Sequence, residues 1–335
     1  MLFRRTLRTS AAALALLLPF AAACGGNAKA ESSSDVSSVT LRVGSTGWRV
    51  EEAVLKYAHL DDTPYKVKWS LFQGGDQQLQ AIRAGALDLA SSSEIPPVFA
   101  AADGKPNFKV VAVQRGATLN QEVVVPKGSK VTDIAGLKGK KVGYVQNTTA
   151  HYFLYKLLQQ AGLKWSDIDA KPLLPNDGLA ALNGGGIDAF ASYGTSIITA
   201  HQQGATTVGS GKDILSGNFL WSARDSVLTS PAQKAAAADL IARITKAYTY
   251  VRDGQQDGFA KITAEATHQP LAQAKKDLVD AQAQRPTKAR TVGDDTIASQ
   301  QKVADAFTQL GALKQHLDVK SFWTTDLNAD LKKAL

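Results

Sequence analysis

The sequence predicts an α/β chain of two lobes with similar topology. Three observations carry this. From Val39 onward, short apolar runs alternate with amphipathic segments. A glycine-centred motif near residue 85 recurs 100 residues later. The 312 residues that follow an N-terminal leader exceed what one small core needs and suit two.

The leader is residues 1–23. Arg4, Arg5 and Arg8 form a positive start, and Ala11 to Ala23 form an apolar core holding Leu14, Leu16, Leu17, Leu18 and Phe20. That core falls short of the roughly 20 apolar residues a spanning helix needs, so it reads as a cleavable export signal. Ala21, Ala22 and Ala23 then lead into Cys24, the only cysteine in the chain. A lone thiol cannot form an internal disulfide, and this small-residue run before cysteine resembles a bacterial lipobox, so Cys24 is the expected lipidation site. Residues 24–38 are serine-rich without an aromatic side chain and are expected to be a flexible tether. Together these features predict an exported body held on the outer face of the cytoplasmic membrane, or facing the periplasm.

The elements follow in order. Val39–Val43 reads as a strand, Val50–Leu60 as a helix and Tyr65–Phe72 as a strand. Gln77–Ala84 is a helix stopped by Gly85, and Leu87–Ala90 a short buried strand. Phe108–Gln114, Glu122–Val125 and Lys141–Val145 are further strands. The next helix carries Phe153, Leu154, Leu157, Leu158 and Ala161 on one face and ends before Gly162. Strand and helix in alternation give mainly parallel sheets. After Pro231 the pattern is mostly helical: Leu240, Ile241, Ile244, Tyr248 and Val251 share one face, followed by Phe259–Ala266, Leu271–Ala281 and Thr296–Leu310.

The repeat pairs Ala81–Asp88 with Ala181–Asp188, each a helix end, a glycine, a short strand and a polar loop. A looser pair sets Leu41–Val43 with Ser45 and Thr46 against Val142–Val145 with Thr148 and Thr149. In open α/β sheets ligands bind beyond the carboxyl ends of the strands, where helix starts present free N–H groups. Ser45, Thr46, Ser92, Ser93, Thr148 and Thr149 are therefore candidate donors to an oxyanion, although helix capping uses the same residue types. Trp48 and Tyr193 can wall an apolar part of a ligand or pack the lobes. His151 can donate to an anion or cap its helix, and Arg115 can supply a full charge or stay solvated.

Enzymatic signatures are absent. There is no Gly-x-Ser-x-Gly, Walker or His-Glu-x-x-His pattern, and none of the five histidines pairs at metal-ligand spacing. Gly184-x-Gly186-x-x-Ala189 precedes a strand instead of following one, so it is no dinucleotide site. No cofactor or metal is expected. A cleft enzyme would have to use Glu94 or His151. The net charge is +8, or +5 without the leader's three arginines, and no block of five like charges occurs, so nucleic acid is not an expected partner.

From about Trp69 to Ala205 the chain resembles the sulfonate/nitrate/taurine class of solute-binding proteins of ABC importers, nearest the aliphatic-sulfonate binders. The resemblance rests on Phe72-Gln73-Gly74-Gly75, Leu79–Asp88, Glu94-Ile95-Pro96-Pro97-Val98-Phe99-Ala100, Leu137–Val142, Leu157–Leu163 and Gly186-Ile187-Asp188-Ala189, all in order. It implies a two-lobed periplasmic-binding-protein-like fold of type II with the ligand cleft between the lobes. The expected division is 39–121 with 222–335 in one lobe and 122–221 in the other, crossing near Leu119–Val124 and Ser216–Arg224. It also implies that Ser92–Pro97, Thr148, Thr149 and His151 contact a small organic oxyanion, that an ABC permease and ATPase are partners, and that the protein is a monomer and not an enzyme. The competing readings are a cleft enzyme and a ligand-sensing partner of a membrane signalling protein. The chain departs from the class at Tyr193-Gly194-Thr195, where Trp-Asp-Pro is common, and at Ser93-Glu94, where Gly-Asp is common. The missing aspartate implies a ligand other than an aminosulfonate, while Glu94 beside an anion site would repel it or accept a ligand amine.

Overall fold

The structure is a computed structural model and describes residues 35–333. The leader and Cys24 lie outside the described residues. Residues 35–38, expected as tether, form a turn in which Val36 packs against the first core.

Two sheets organise the chain between 35 and 333. The first contains β1 (Thr40–Thr46), β2 (Lys66–Phe72), β3 (Leu89–Ser93), β4 (Phe108–Arg115), and later β10 (Asn218–Arg224) and β11 (Lys288–Arg290). The second contains β5 (Gln121–Val125), β6 (Lys141–Tyr144), β7 (Asp169–Pro172), β8 (Ala189–Tyr193) and β9 (Thr206–Ser210). Their orders are β11-β4-β10-β3-β1-β2 and β7-β6-β8-β5-β9. In the first, β1 pairs in parallel with β2 and β3, and β10 runs antiparallel between β3 and β4. In the second, β6 pairs in parallel with β7 and β8, and β5 runs antiparallel between β8 and β9. The second sheet thus holds one reversed strand, β5, and the first holds two, β10 and the edge strand β11, which is antiparallel to β4; β5 and β10 are the strands the chain forms on arriving from the other sheet.

Helices α1 (Val50–Tyr57), α2 (Gly75–Arg83) and α3 (Pro96–Ala102) alternate with the first strands; α4 (Thr149–Gln160), α5 (Pro175–Asn183) and α6 (Thr195–Gln202) alternate with those of the second sheet. The C-terminal part adds α7 (Asp225–Thr229), α8 (Pro231–Tyr250), α9 (Gln256–Thr267), α10 (Leu271–Gln284), α11 (Asp294–Leu310) and α12 (Asn328–Lys332). One face of the first sheet packs on α8 through Leu240, Ile241 and Ile244, and another core gathers Phe108, Val110 and Val113 with Phe307 of α11. Both faces are covered, so β4 reads Val-Val-Ala-Val with every one of these side chains buried, as a two-sided strand requires. The second sheet has its own core around Val142, Phe153, Leu158 and Phe190.

The internal repeat is structural. Asp88 Oδ2 accepts the amide of Arg42 at 2.9 Å, and Asp188 Oδ2 accepts the amide of Lys141 at 2.8 Å. Each aspartate also donates its own amide to the same strand residue, Arg42 or Lys141. The preceding Gly85 and Gly185 have φ of 72° and 70°, the left-handed turn that glycine accepts most readily. The copies differ in charge partners: Asp88 Oδ1 also pairs with Arg42 and Arg224, both at 2.7 Å.

The sequence misses β7, β9 and β11, which are sheet-edge strands with no buried side chain and no apolar run. It also ends three strands too early. Ser45 and Thr46 belong to β1, Ser91 to Ser93 to β3, and Tyr193 to β8, so the expected hydroxyl-rich loops are strand ends.

Candidate functional site

Because Ser45 and Thr46 stand on β1, the two face opposite ways. Ser45 is fully buried and its hydroxyl donates to Glu51 of α1, whereas the next residue, Thr46, is half-buried and lines a cavity of about 330 Å³. The cavity lies at the carboxyl ends of β1, β3, β4 and β8 and takes residues from both sheets. Gln78 of α2, itself fully buried, fixes its floor: its Nε2 donates to Thr46 Oγ1 at 2.7 Å and to the Ser91 carbonyl at 2.9 Å, and its Oε1 accepts the Ser91 amide at 3.0 Å.

Four helices begin at this cavity; α3 reaches it with Pro96 and opens on two prolines without N–H, which leaves three that offer amides, with Val50 and Glu51 of α1, Gly75 of α2 and Thr149 of α4 in the wall. Their first-turn amides have no intrahelical acceptors and carry the positive end of the helix dipole. A Cβ at Gly75 would lie 2.5 Å from that of Ser92, so glycine is what lets α2 start this close to β3. Thr148 caps α4 by accepting the Ala150 amide at 3.3 Å, and its hydroxyl donates to the Val145 carbonyl at 2.7 Å. Thr149 donates to Gln121 Oε1, tying α4 to β5.

Of the expected site residues, Thr46, Ser92, Ser93, Thr148, Thr149 and Tyr193 come together in this cavity, and Ser45, Trp48, Glu94 and His151 do not. Trp48 lines an adjacent cavity of about 580 Å³ and packs on Phe259 with ring centroids 6.1 Å apart. Thr46 and Tyr193 line both cavities and so form the partition between them. His151 is buried among Tyr144, Trp165 and Phe307, each about 5 Å away between ring centroids. Burial drives its imidazole down to about 4, so it is neutral at pH 7 and brings no positive charge.

Glu94 is buried behind the cavity and accepts from Ser216 Oγ at 2.7 Å, Ser299 Oγ at 3.0 Å and Asn218 Nδ2 at 3.4 Å. Burial pushes its carboxyl above the usual range, against the pull of these donors. Its partners join α11 to the segment before β10, which makes it a structural fastener. Arg115 is exposed and stands outside the cavity.

Sequence reasoning missed Glu51, Gln114, Gln121, Phe219 and Tyr248, all in the wall. Tyr248 reads as one more apolar residue on the α8 face, and Glu51 as an ordinary acidic residue in a first helical turn. Gln114 was the readable one, since it ends a sheet strand at the side where ligands bind. Among the described residues no group of His, Cys, Asp and Glu is arranged to hold a metal ion, and no helix is long and apolar enough to cross a membrane.

Residues 67–248 match the family model described as NMT1/THI5 like. A relative from Escherichia coli (strain K12), named as an aliphatic sulfonates-binding protein, is 30% identical over 294 residues, covering 86% of this chain and 89% of the relative. The crystal structure of the periplasmic aliphatic sulphonate binding protein SsuA from Escherichia coli superposes with a TM-score of 0.70 at 27% identity, over 84% of this chain and 96% of that one. The alkanesulfonate-binding protein SsuA from Xanthomonas axonopodis pv. citri, bound to MOPS, gives a TM-score of 0.77 at 25% identity, over 85% and 98%. The architecture is therefore that of the periplasmic binding proteins.

Proposed function

The chain belongs to the NMT1/THI5-like family, and from that premise we propose that it captures a small organic sulfonate between its two sheets and delivers it to an ABC importer. The observation that carries this reading is the convergence of three amide-bearing helix starts and the hydroxyl residues Ser92, Ser93, Thr148 and Thr149 on one cavity whose wall holds no Lys, Arg or His. A sulfonate stays ionised at every physiological pH. Neutral N–H and O–H donors aimed by helix dipoles hold such an anion without a buried counter-charge. The names of the relatives support the same ligand class.

In this reading each sheet with its helices is a lobe, the chain crossing between them after β4 and again after β9, so that the expected bounds shift to place Gln121 with the second sheet and all of β10 with the first, and the ligand draws the lobes together. Cys24 carries the lipid that keeps the body on the outer membrane face, within reach of the permease and its ATPase. The protein acts as a monomer and catalyses nothing: Glu94 and His151, the residues an enzyme would need, are engaged in packing away from the cavity. A thermal-shift screen over alkanesulfonates, sulfate and nitrate tests the proposal. Sulfonates are expected to raise the melting temperature, and a response to sulfate or nitrate alone would exclude them as the ligand class.

A further inference from the structure

The cavity that offers donors to an anion also contains a carboxyl. Glu51 is 6% exposed, lines the cavity beside Ser91, and accepts the hydroxyl of Ser45. A second carboxyl, that of Asp76 in the first turn of α2, acts electrostatically on Tyr193 in the wall. No basic side chain in the wall offsets either one. The aromatic residues Tyr193, Phe219 and Tyr248 line the same cavity, and the Tyr248 phenol interacts with Glu51.

An oxyanion alone would share this space with a carboxyl group and gain nothing from it. A carboxyl among aromatic rings is the surrounding that holds a substituted ammonium, by charge and by the ring faces. We propose that Glu51 forms an ammonium subsite, so that the ligand carries a cationic nitrogen as well as its anionic head, with the head at the α4 start and the nitrogen at Glu51 beside Tyr248. This rests on the sulfonate reading above and narrows it to sulfonates that also bear a basic nitrogen. The absence of aspartate at Gly194 spoke against such ligands; Glu51 supplies the carboxyl from another element, the helix after β1. Burial pushes the Glu51 carboxyl up and toward its neutral form, and contact with an ammonium restores the charged one.

The test is calorimetric titration with 3-aminopropanesulfonate and propane-1-sulfonate, which differ by the nitrogen alone. The aminosulfonate is expected to bind about ten- to hundredfold more tightly, the range of a hydrogen bond to a charged group. Glu51→Gln, of nearly the same shape, is expected to bring the two within about threefold of each other, and Glu51→Asp to keep part of the preference. Equal binding of the two by the unmodified protein, or a preference that survives Glu51→Gln, overturns the subsite and leaves the sulfonate reading intact. Binding of neither ligand overturns both.

Discussion

The hydroxyl of Tyr193 donates to the backbone carbonyl of Gln73 at 3.2 Å. Tyr193 ends β8 in the second sheet, and Gln73 follows β2 in the first. The Gln73 side chain completes the junction, its Oε1 accepting the Asn176 amide of α5 at 3.2 Å. Burial holds the Tyr193 phenol well above its ordinary range, so it stays protonated and a donor at any physiological pH. Tyr193→Phe keeps the ring that separates the two cavities and removes this link. A neutral hydrogen bond is worth about 1 kcal/mol, so the variant is expected to bind ligand about fivefold more weakly by calorimetry.

If that junction closes around ligand, small-angle scattering reports it. Saturating ligand is expected to reduce the radius of gyration, because two packed bodies joined by two crossings move as a hinge. Tyr193→Phe is expected to be more open than the unmodified protein before ligand is added.

Acid should destabilise the protein through His151. Its imidazole falls from 6.5 to about 4 on folding, so the unfolded chain binds a proton that the folded chain refuses. Its contribution is complete above pH 6.5 and is lost as pH falls from there toward 4, a change of about 3 kcal/mol. His151→Phe retains a ring among Tyr144, Trp165 and Phe307 and has nothing to titrate. Urea unfolding across this range is expected to show a shallower loss for the variant. Glu51 and Glu94 act with the opposite sign. Both are raised by burial, so their cost appears as pH climbs through and above the ordinary carboxylate range.

The two repeat aspartates should differ in importance although their backbone roles match. Asp88→Ala strands Arg42 and Arg224 as well as the Arg42 amide. It is expected to cost about 2–4 kcal/mol. Asp188→Ala frees only the Lys141 amide, at a less buried position, and is expected to cost about 1 kcal/mol. Urea denaturation of the two variants provides the comparison.

That repeat also shows what the sequence could reveal. Helix ends, glycines and capping aspartates leave local signatures, so the two-sheet plan was legible from Ala81–Asp88 and Ala181–Asp188. The edge strands were not, because strands with no buried side chain, such as β7 and β9, need no apolar pattern. Within the site, residue type pointed to the right strand ends but not to the right side of them. Ser45 and Thr46 look alike in a loop, and only the period of a strand sends one into the core and the other into the cavity. Glu51 and Tyr248 reach the cavity from α1 and α8, about 200 positions apart, a juxtaposition that no local pattern encodes.

Membrane attachment has a separate test at Cys24. Cys24→Ala is expected to release the protein into the soluble fraction or leave its leader uncleaved, as seen by fractionation and mobility. Fractionation and migration identical to the unmodified protein would contradict a lipid anchor.

Calorimetric titration with a sulfonate, on the unmodified protein and on Ser92→Ala and Thr149→Val, tests the central claim most directly. Both residues line the cavity, Ser92 from β3 of the first sheet and Thr149 from the start of α4, and neither is the cap of α4. One ligand is expected to bind per chain, and each variant to bind it about ten- to hundredfold more weakly, the cost of a hydrogen bond lost to a charged group. Absence of sulfonate binding, or binding by both variants as tight as that of the unmodified protein, would contradict a sulfonate site in this cavity.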